Sequence, residues 1–320
     1  MAVYVNTNYS ALQGQRYLGN VQNSLTTTYQ RLSSGLRINS AKDDAAGLQI
    51  ADRLTAQING LNQGNRNASD GIALAQTMEA GMDEISGMLQ KIRTLTVQAS
   101  NGTNTVQDRQ ALAKEVASLA TEVNRIATQT TFAGKTILNG KGENALFGKD
   151  AGNANGAAGK AGADGSVTLQ VGSNKGDTIT FNATSVMFSK IAEDNNLVNA
   201  ADKVFGTDAN TGAIKVLFSK ATTGTGVDSF GAIIDLMDKA IAKVDGMRAD
   251  LGAIQNRLES SIRNQSNVAA NEADARSRIR DADFAEESAN LSQQSIIQQA
   301  AASMLMQANT RPQLGLSLLG

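Results

Sequence analysis

The side chains that could do chemistry in this chain are carboxylates, lysines, arginines and hydroxyls, because its 320 residues include no His, Cys or Trp. Histidine is the commonest general base and metal ligand, and cysteine supplies every thiolate. Histidine-based triads, thiol nucleophiles, Cys/His zinc sites and disulfides are therefore excluded.

Two pairs of adjacent carboxylates are the first candidates for acid–base or metal chemistry, namely Asp43-Asp44 and Glu286-Glu287. Such chemistry needs carboxylates that converge on one point, whereas neighbouring side chains on a helix diverge by about 100°. An acidic residue near a helix N-terminus is stabilised by the backbone dipoles. We therefore interpret each pair as a solvated or helix-capping feature.

Two glycine motifs are incomplete versions of nucleotide-binding loops. Gly134-Lys135-Thr136 has the end of a phosphate-binding loop, but Gln129 stands where the motif requires its first glycine. Gly224-Thr225-Gly226 begins like a dinucleotide fingerprint, but Ser229 replaces the third glycine. The sequence thus predicts no catalytic residue, no cofactor and no metal, and the chain is not expected to be an enzyme.

The charge balance points to protein partners. The net charge is −1, from 29 basic and 30 acidic residues, so no field of one sign is available to attract nucleic acid or an anionic membrane. No run of about 18 apolar residues is present, which predicts no membrane insertion. Residues 1–8 lack the basic segment of a cleaved signal peptide.

The elements that carry these residues are predicted to be long helices, since the only proline is Pro312 and the flanks show a seven-residue apolar repeat. A turn at 100–102, followed by a Thr105/Asp108 capping box, predicts an antiparallel helix pair. The repeat positions are Met78, Met82, Ile85, Leu89 and Ile92, then Leu112, Val116, Leu119, Val123 and Ile126, and then Ile233, Met237, Ala240, Val244, Met247, Leu251, Ile254 and Leu258.

The last of these repeats predicts one helix over about 229–270, with its apolar register lapsing at Ser261 and Gln265. The terminal stretches 10–34 and 285–311 have thinner apolar stripes, and we expect the final helix to end at Pro312. A thin stripe buries too little surface to offset chain entropy, so these ends are expected to be mobile alone and to order against another chain.

The middle of the chain is glycine-rich and has a different pattern. Apolar and polar residues alternate at 167–171 and 179–181 around a turn, which predicts a β-hairpin. Residues 183–226 suggest a short helix at 197–204 and a strand at 214–218. The expected fold is mainly α, with long antiparallel helices in a coiled-coil-like rod, a small β-hairpin region and a small α+β outer surface subdomain.

One stretch identifies a family. Residues 30–48, QRLSSGLRINSAKDDAAGL, closely resemble bacterial flagellin, and the likeness continues in RNASDGI at 66–72, LGAIQNR at 251–257 and ARSRIRDAD at 275–283. The resemblance implies six regions. They are a 1–43 N-terminal inner-core helix, 44–139 N-terminal rod helices, a 140–182 β-hairpin region, a 183–227 variable surface subdomain, a 228–271 C-terminal rod helix and a 272–320 C-terminal inner-core helix.

The resemblance implies that copies of this chain assemble into the extracellular flagellar filament. It also implies that the two terminal segments pair as a coiled coil. Export is expected to proceed unfolded through the flagellar type III apparatus, without a cleaved signal peptide. A chaperone of that pathway is expected to bind the C-terminal segment, and filament cap and hook-junction proteins are further expected partners.

The apolar repeat and terminal stripes provide the predicted subunit-packing residues, which are Leu18, Leu25, Leu32, Ile85, Leu89, Ile92, Leu112, Val116, Leu119, Val244, Leu251, Ile254, Leu258, Ile296 and Met304. The family resemblance also implies a contact surface for the animal Toll-like receptor that senses flagellin, at Gln90, Lys91, Leu95 and Glu115. Receptor-activating flagellins typically have arginine where Lys91 stands, and lysine lacks the planar fork of arginine.

Two alternatives to a filament subunit share the long helices. A flagellin-like junction protein between hook and filament would cap the filament instead of extending it. A cytosolic coiled-coil scaffold would form discrete oligomers inside the cell.

Overall fold

A computed structural model describes residues 7–140, 145–147, 165–183, 185–188, 205–207, 214–216, 218 and 230–317. The helices are α1 (Tyr9–Ser34), α2 (Ala45–Ser100), α3 (Val106–Gln129), α4 (Phe230–Arg280) and α5 (Phe284–Ser317). The strands are β1 (Thr131–Phe132), β2 (Lys135–Thr136), β3 (Gly165–Gln170), β4 (Thr178–Ala183), β5 (Phe205–Thr207) and β6 (Ile214–Val216). They form three two-stranded antiparallel sheets, and the mainly α prediction is confirmed.

The chain divides into two compact units. The terminal unit comprises Met1–Asn59 and Asn267–Gly320, and the central unit comprises Gly60–Ser266. Both boundaries between the units fall inside long helices, α2 and α4. The predicted boundaries between the inner-core and rod regions lie after residues 43 and 271.

In the central unit, α2 and α4 run antiparallel, as their ion pairs show. Arg93 Nε lies 2.5 Å from Asp238 Oδ1, and Arg248 Nη2 lies 3.1 Å from Asp83 Oδ1, so residue numbers rise along one helix as they fall along the other. The apolar repeats of α2, α3 and α4 enclose one hydrophobic core between them. The predicted antiparallel helices are therefore confirmed for this unit.

The connection from α2 to α3 is the short turn that the sequence predicts. Helix α2 ends at Ser100, and α3 begins after Thr105 with a complete capping box. The Asp108 backbone N–H donates to Thr105 Oγ1 at 3.2 Å, and the Thr105 backbone N–H donates to Asp108 Oδ2 at 2.9 Å. Each residue thus satisfies a donor that the helix end would otherwise leave unpaired.

Helix α4 is longer than predicted, since it continues through the lapse in its apolar repeat to Arg280. Gln265 is buried, and its Nε2 donates to Ser261 Oγ at 2.8 Å. The two polar residues therefore satisfy part of each other's hydrogen bonding one turn apart. An interrupted apolar seam does not end a helix whose backbone bonds remain intact.

The predicted β-hairpin is confirmed as β3–β4, in which Val167 pairs with Phe181 and Leu169 with Ile179. It packs against α2, where Asn67 Nδ2 donates to the Gln170 carbonyl at 2.8 Å. Gly64 of α2 faces the hairpin so closely that a Cβ there would overlap the Val171 carbonyl oxygen. A side chain at position 64 would therefore push the hairpin away from the helix.

The Gly134-Lys135-Thr136 motif forms a turn and the strand that follows it. Phe132 pairs with Lys135, and the two residues between them have positive φ angles, 50° at Ala133 and 79° at Gly134. Positive φ at both central positions is the geometry of a type I′ hairpin turn.

Part of the predicted outer surface subdomain contributes to the core of the central unit. Val186, Phe188 and Phe218 are buried, and the ring of Phe218 meets that of Phe230 edge-on at 5.6 Å between centroids. These three residues therefore pack inside the unit instead of projecting outward. Strand β6 confirms residues 214–216 of the predicted strand, and the predicted short helix at 197–204 lies outside the described residues.

In the terminal unit, α1 begins at the cap residue Asn8 and ends at Gly35, whose φ of 71° is left-handed. The Gly35 backbone N–H donates to the Arg31 carbonyl at 2.8 Å and closes the helix. Helix α5 runs to Ser317, so the prediction that it ends at Pro312 is wrong. A proline removes the backbone bond to the carbonyl four residues earlier, which here belongs to Ala308.

Candidate functional site

The first and last helices of the chain, α1 and α5, pair with each other along the terminal unit. Their contacts run antiparallel, from Asn8 with Ala308 at one end to Arg31 with Glu287 at the other. Gly14 marks a close approach between them, since a Cβ there would lie 3.0 Å from Leu305 Cδ1. The pairing of the two terminal segments agrees with the expectation drawn from the family.

Arg31 and Glu287 form the ion pair at one end of this helix pair, with Nη1 and Oε1 3.1 Å apart. Glu287 is buried and therefore not solvated, whereas Glu286 is exposed; both lie in the first turn of α5, where an acidic residue stabilises the helix end. Sequence spacing could not predict this ion pair, because its members are 256 positions apart. A buried carboxylate requires such a partner, and removing the arginine would leave an uncompensated charge.

Asn8 joins α1 to α5 at the other end. Its Oδ1 accepts a hydrogen bond from the Ala11 backbone N–H at 3.1 Å, which caps α1. Its Nδ2 donates to the Ala308 carbonyl at 2.8 Å, the same carbonyl that Pro312 leaves without its helical donor. One amide side chain therefore satisfies two backbone groups, one in each helix.

These two helices carry large apolar side chains that the terminal unit leaves uncovered. Tyr9 is 74% exposed, Ile296 is 67% exposed and Met304 is 70% exposed. A groove of about 720 Å³ runs between the helices and is lined by Tyr17, Ile297 and Met304, among others. Grouped exposed apolar residues of this kind mark a surface for another macromolecule.

The predicted packing residues fall into three classes of exposure. Leu18, Leu25 and Leu32 of α1 are half-buried, as are Leu112, Leu119 and Ile254. Ile296 and Met304 are exposed. The others are buried in the core of the central unit and pack within the chain, namely Ile85, Leu89, Ile92, Val116, Val244, Leu251 and Leu258.

The four predicted receptor-contact residues lie in the central unit on α2 and α3. Gln90, Lys91 and Glu115 are exposed, and Lys91 Nζ lies 3.8 Å from Glu115 Oε1. Leu95 is buried, with 4% of its surface exposed. The structure thus brings Lys91 and Glu115 together as an exposed ion pair.

Asp44 caps α2, and the exposed Asp43 holds the loop before it, in agreement with the interpretation of this pair as solvated or capping. Backbone N–H groups of Ser40 and Asn39 donate to Asp43 Oδ2, and these bonds lower the pKa of the Asp43 carboxyl below its usual 3.8. Asp44 Oδ1 accepts from the Gly47 backbone N–H at 2.9 Å, in the first turn of α2. The two carboxylates thus bind different backbone groups.

The described residues contain no group of three or more acidic side chains close enough to hold a metal ion. Within the same residues, no helix combines the length and the apolar character needed to cross a membrane.

Two family models match the chain. The model of the bacterial flagellin N-terminal helical region matches residues 5–143, and that of the bacterial flagellin C-terminal helical region matches residues 234–319. The first match includes α1, and the second includes α5 through Ser317. The paired terminal helices therefore lie within the segments that the family shares.

Full-length relatives have similar sequences. Flagellin D of Vibrio anguillarum is 38% identical over 377 aligned residues, and flagellin A of Vibrio cholerae is 37% identical over 400, with 100% of both chains covered in each case. A protein from Vibrio parahaemolyticus described as flagellar hook-associated has a similar fold. Its TM-score is 0.50 at 16% identity, and 75% of this chain and 100% of that one are covered.

Proposed function

The chain belongs to the bacterial flagellin family and is a structural subunit of the flagellar filament, and from this premise we propose that α1 and α5 form its assembly surface. Copies of the chain would bury the outer apolar faces of these helices against one another. Filament growth then follows from repetition of the same contact between identical subunits.

The observation that carries this proposal is the poor burial of α5. Through Thr310, where the structure describes its side chains, the only buried residue of this helix is Glu287, whereas Ile296 and Met304 are mostly exposed. A long helix with so little buried apolar surface gains little stability from its own unit. Contact with further copies supplies the missing burial.

The exposed apolar side chains of α5 could also bind the export partners that the family resemblance implies. We propose that the chain leaves the cell unfolded through the flagellar type III apparatus, without a cleaved signal peptide. An export chaperone would cover the apolar face of the C-terminal segment before assembly. Filament cap and hook-junction proteins are further proposed partners.

Contact with the animal Toll-like receptor stays a prediction that the exposed Gln90, Lys91 and Glu115 support. Lysine at position 91 is a point charge without the bidentate geometry of arginine. We expect weaker binding than in flagellins that have arginine at this position.

A junction protein would share this fold but would be present in filaments at a different abundance. A filament subunit makes up most of the mass of sheared filaments, whereas a junction protein is present only at the hook end. Quantitative mass spectrometry of sheared filaments distinguishes the two.

Removal of residues 292–320 tests the assembly surface directly. This truncation deletes Ile296, Met304 and most of α5 while leaving the central unit whole. We expect a partly helical, monomeric protein that forms no filaments by electron microscopy. Filaments from the truncated chain would contradict the proposal.

A pair of substitution variants separates the apolar face from general damage to α5. Ile296→Gln with Met304→Gln replaces two exposed apolar residues, and the matched control Ser303→Gln replaces an exposed polar one on the same helix. The first variant should assemble poorly and the control normally. Equal assembly of the two would show that this apolar face is not the contact.

A further inference from the structure

Helix α5 carries two exposed thioethers. Met304 is 70% exposed and Met306 is 68% exposed, whereas Met78 and Met82 in the core of the central unit are 1% and 0% exposed. The other methionines whose burial the structure describes, Met88, Met187, Met237 and Met247, are buried or half-buried. Because access governs the oxidation of methionine, the two methionines of α5 should react with peroxide first.

Met304 and Met306 lie in the part of α5 next to its close approach to α1. Met304 lines the groove between α1 and α5, together with Gly14 and Tyr17. Met306 lies two positions along the same helix, beside Leu305, whose Cδ1 would lie 3.0 Å from a Cβ at Gly14. Met304 thus lies beside the close approach of the two helices, and Met306, about 200° further around α5, presents a second exposed thioether on another side of the helix.

We propose that Met304 and Met306 form a peroxide-oxidation site that controls assembly of the subunit. The sulfur lone pair attacks one oxygen of hydrogen peroxide, and the O–O bond breaks. The attacked oxygen stays on sulfur as a sulfoxide, and its proton joins the departing hydroxide to form water. Sulfur loses two electrons, and the peroxide gains them.

A sulfoxide at Met304 or Met306 places a polar acceptor on exposed surface of α5 that must lose its water when further copies cover this helix. A polar group buried without a hydrogen-bond partner weakens the contact. The inference rests on the proposed function, because the effect requires the α5 face to be covered in the filament. Oxidation should act on the free subunit, and assembled subunits should be protected.

The test treats the full-length monomeric protein with hydrogen peroxide and locates the added oxygen atoms by peptide mass spectrometry. We expect the peptide with Met304 and Met306 to be oxidised before those with Met78 or Met82. The critical concentration for polymerisation should then rise about tenfold or more, and a methionine sulfoxide reductase should restore it.

Two double variants separate the site from oxidation elsewhere. Met304→Leu with Met306→Leu should polymerise equally well before and after peroxide. The matched control, Met88→Leu with Met247→Leu, removes two half-buried methionines beside the core and should remain sensitive. If the α5 variant fails to polymerise at all, reversal of the wild-type effect by the reductase still tests the inference.

The outcomes also distinguish this inference from the proposed function. Untreated protein that never polymerises would contradict the assembly surface, while mass spectrometry would still test the order of oxidation. Oxidised protein that polymerises like untreated protein would overturn the inference and leave the assembly surface intact. Earlier oxidation of Met78 or Met82 would also overturn it.

Discussion

At the scale of single residues, the capping box of α3 makes the start of that helix sensitive to acid. The Thr105 hydroxyl and backbone N–H both donate to Asp108 Oδ2, the hydroxyl at 2.7 Å, and these bonds lower the pKa of the Asp108 carboxyl below its usual 3.8. A carboxyl whose folded pKa is lowered stabilises the protein above its unfolded pKa. That stabilisation is lost as pH falls through the lower, folded value.

The Asp108→Asn variant should therefore be less stable than the wild type at neutral pH, and the difference should shrink as the pH falls below 3.8. Thermal unfolding of the monomer, followed by circular dichroism from neutral pH to about pH 2.5, measures this. The control Asp70→Asn alters an exposed aspartate in the middle of α2. A difference that persists unchanged in acid would show that the charge of Asp108 does not stabilise the cap.

The sequence predicted this cap because its two residues are three positions apart in a known pattern. It did not predict the Arg31–Glu287 pair or the bond from Asn8 to Ala308, whose partners are 256 and 300 positions apart. Local hydrogen bonds are visible in spacing alone. Those between distant segments depend on which faces of two helices meet.

At the scale of elements, the docking of the β3–β4 hairpin on α2 depends on two glycines of the helix, at positions 60 and 64. Gly64 faces the Val171 carbonyl oxygen, and a Cβ at Gly60 would lie 2.7 Å from that of Ser173. Glycine in a helix interior is unfavourable by itself, so its presence here is explained by the close packing of the hairpin.

The Gly64→Ala variant should lower the free energy of unfolding by about 1–3 kcal/mol, because the added methyl group displaces the hairpin backbone. The matched control is Gly87→Ala in the same helix, where a Cβ would meet nothing within 4 Å. That control should raise the free energy of unfolding by about 1 kcal/mol through helix propensity. Urea unfolding measures both, and a stabilised Gly64→Ala protein would contradict the close approach.

Sequence periodicity predicted the types of the helices and strands well, but it predicted less well where they end. The apolar repeats predicted α2, α3 and α4, and strict alternation predicted β3–β4. The end of α4 was misplaced because the polar pair at Ser261 and Gln265 interrupts the apolar pattern but not the backbone hydrogen bonds. The end of α5 was misplaced because Pro312 removes one backbone hydrogen bond and the helix continues past it. Tertiary contacts supply what the local sequence lacks.

At the scale of the whole molecule, we expect stability and assembly to depend on different parts of the chain. The predicted assembly surface lies in the terminal unit, whereas Val186, Phe188 and Phe218 fill the core of the central unit. The family resemblance assigned residues 183–227 to a variable surface subdomain. It could not show which of their aromatic rings turn inward to cover α3 and α4.

Replacement of residues 183–226 by a short linker should therefore separate the two properties. We expect filaments to form, because α1 and α5 are unchanged, but the thermal midpoint of the monomer should fall. Truncation of one buried Phe alone costs about 3–5 kcal/mol. Phe218→Ala is the matched point variant. Loss of filaments at a temperature where the shortened monomer is folded would mean that 183–226 contributes to subunit contacts.

The hydrogen bond between Asn8 and the Ala308 carbonyl sets the register in which α1 pairs with α5. An α-helix repeats the same backbone at every turn, so two helices with thin apolar stripes could slide past one another by a turn at little cost. Pro312 removes that equivalence, because it leaves one carbonyl in the interior of α5 without its helical donor. Asn8 can satisfy that carbonyl in one alignment only. A single proline in the interior of a helix thereby sets the register in which α5 pairs with α1.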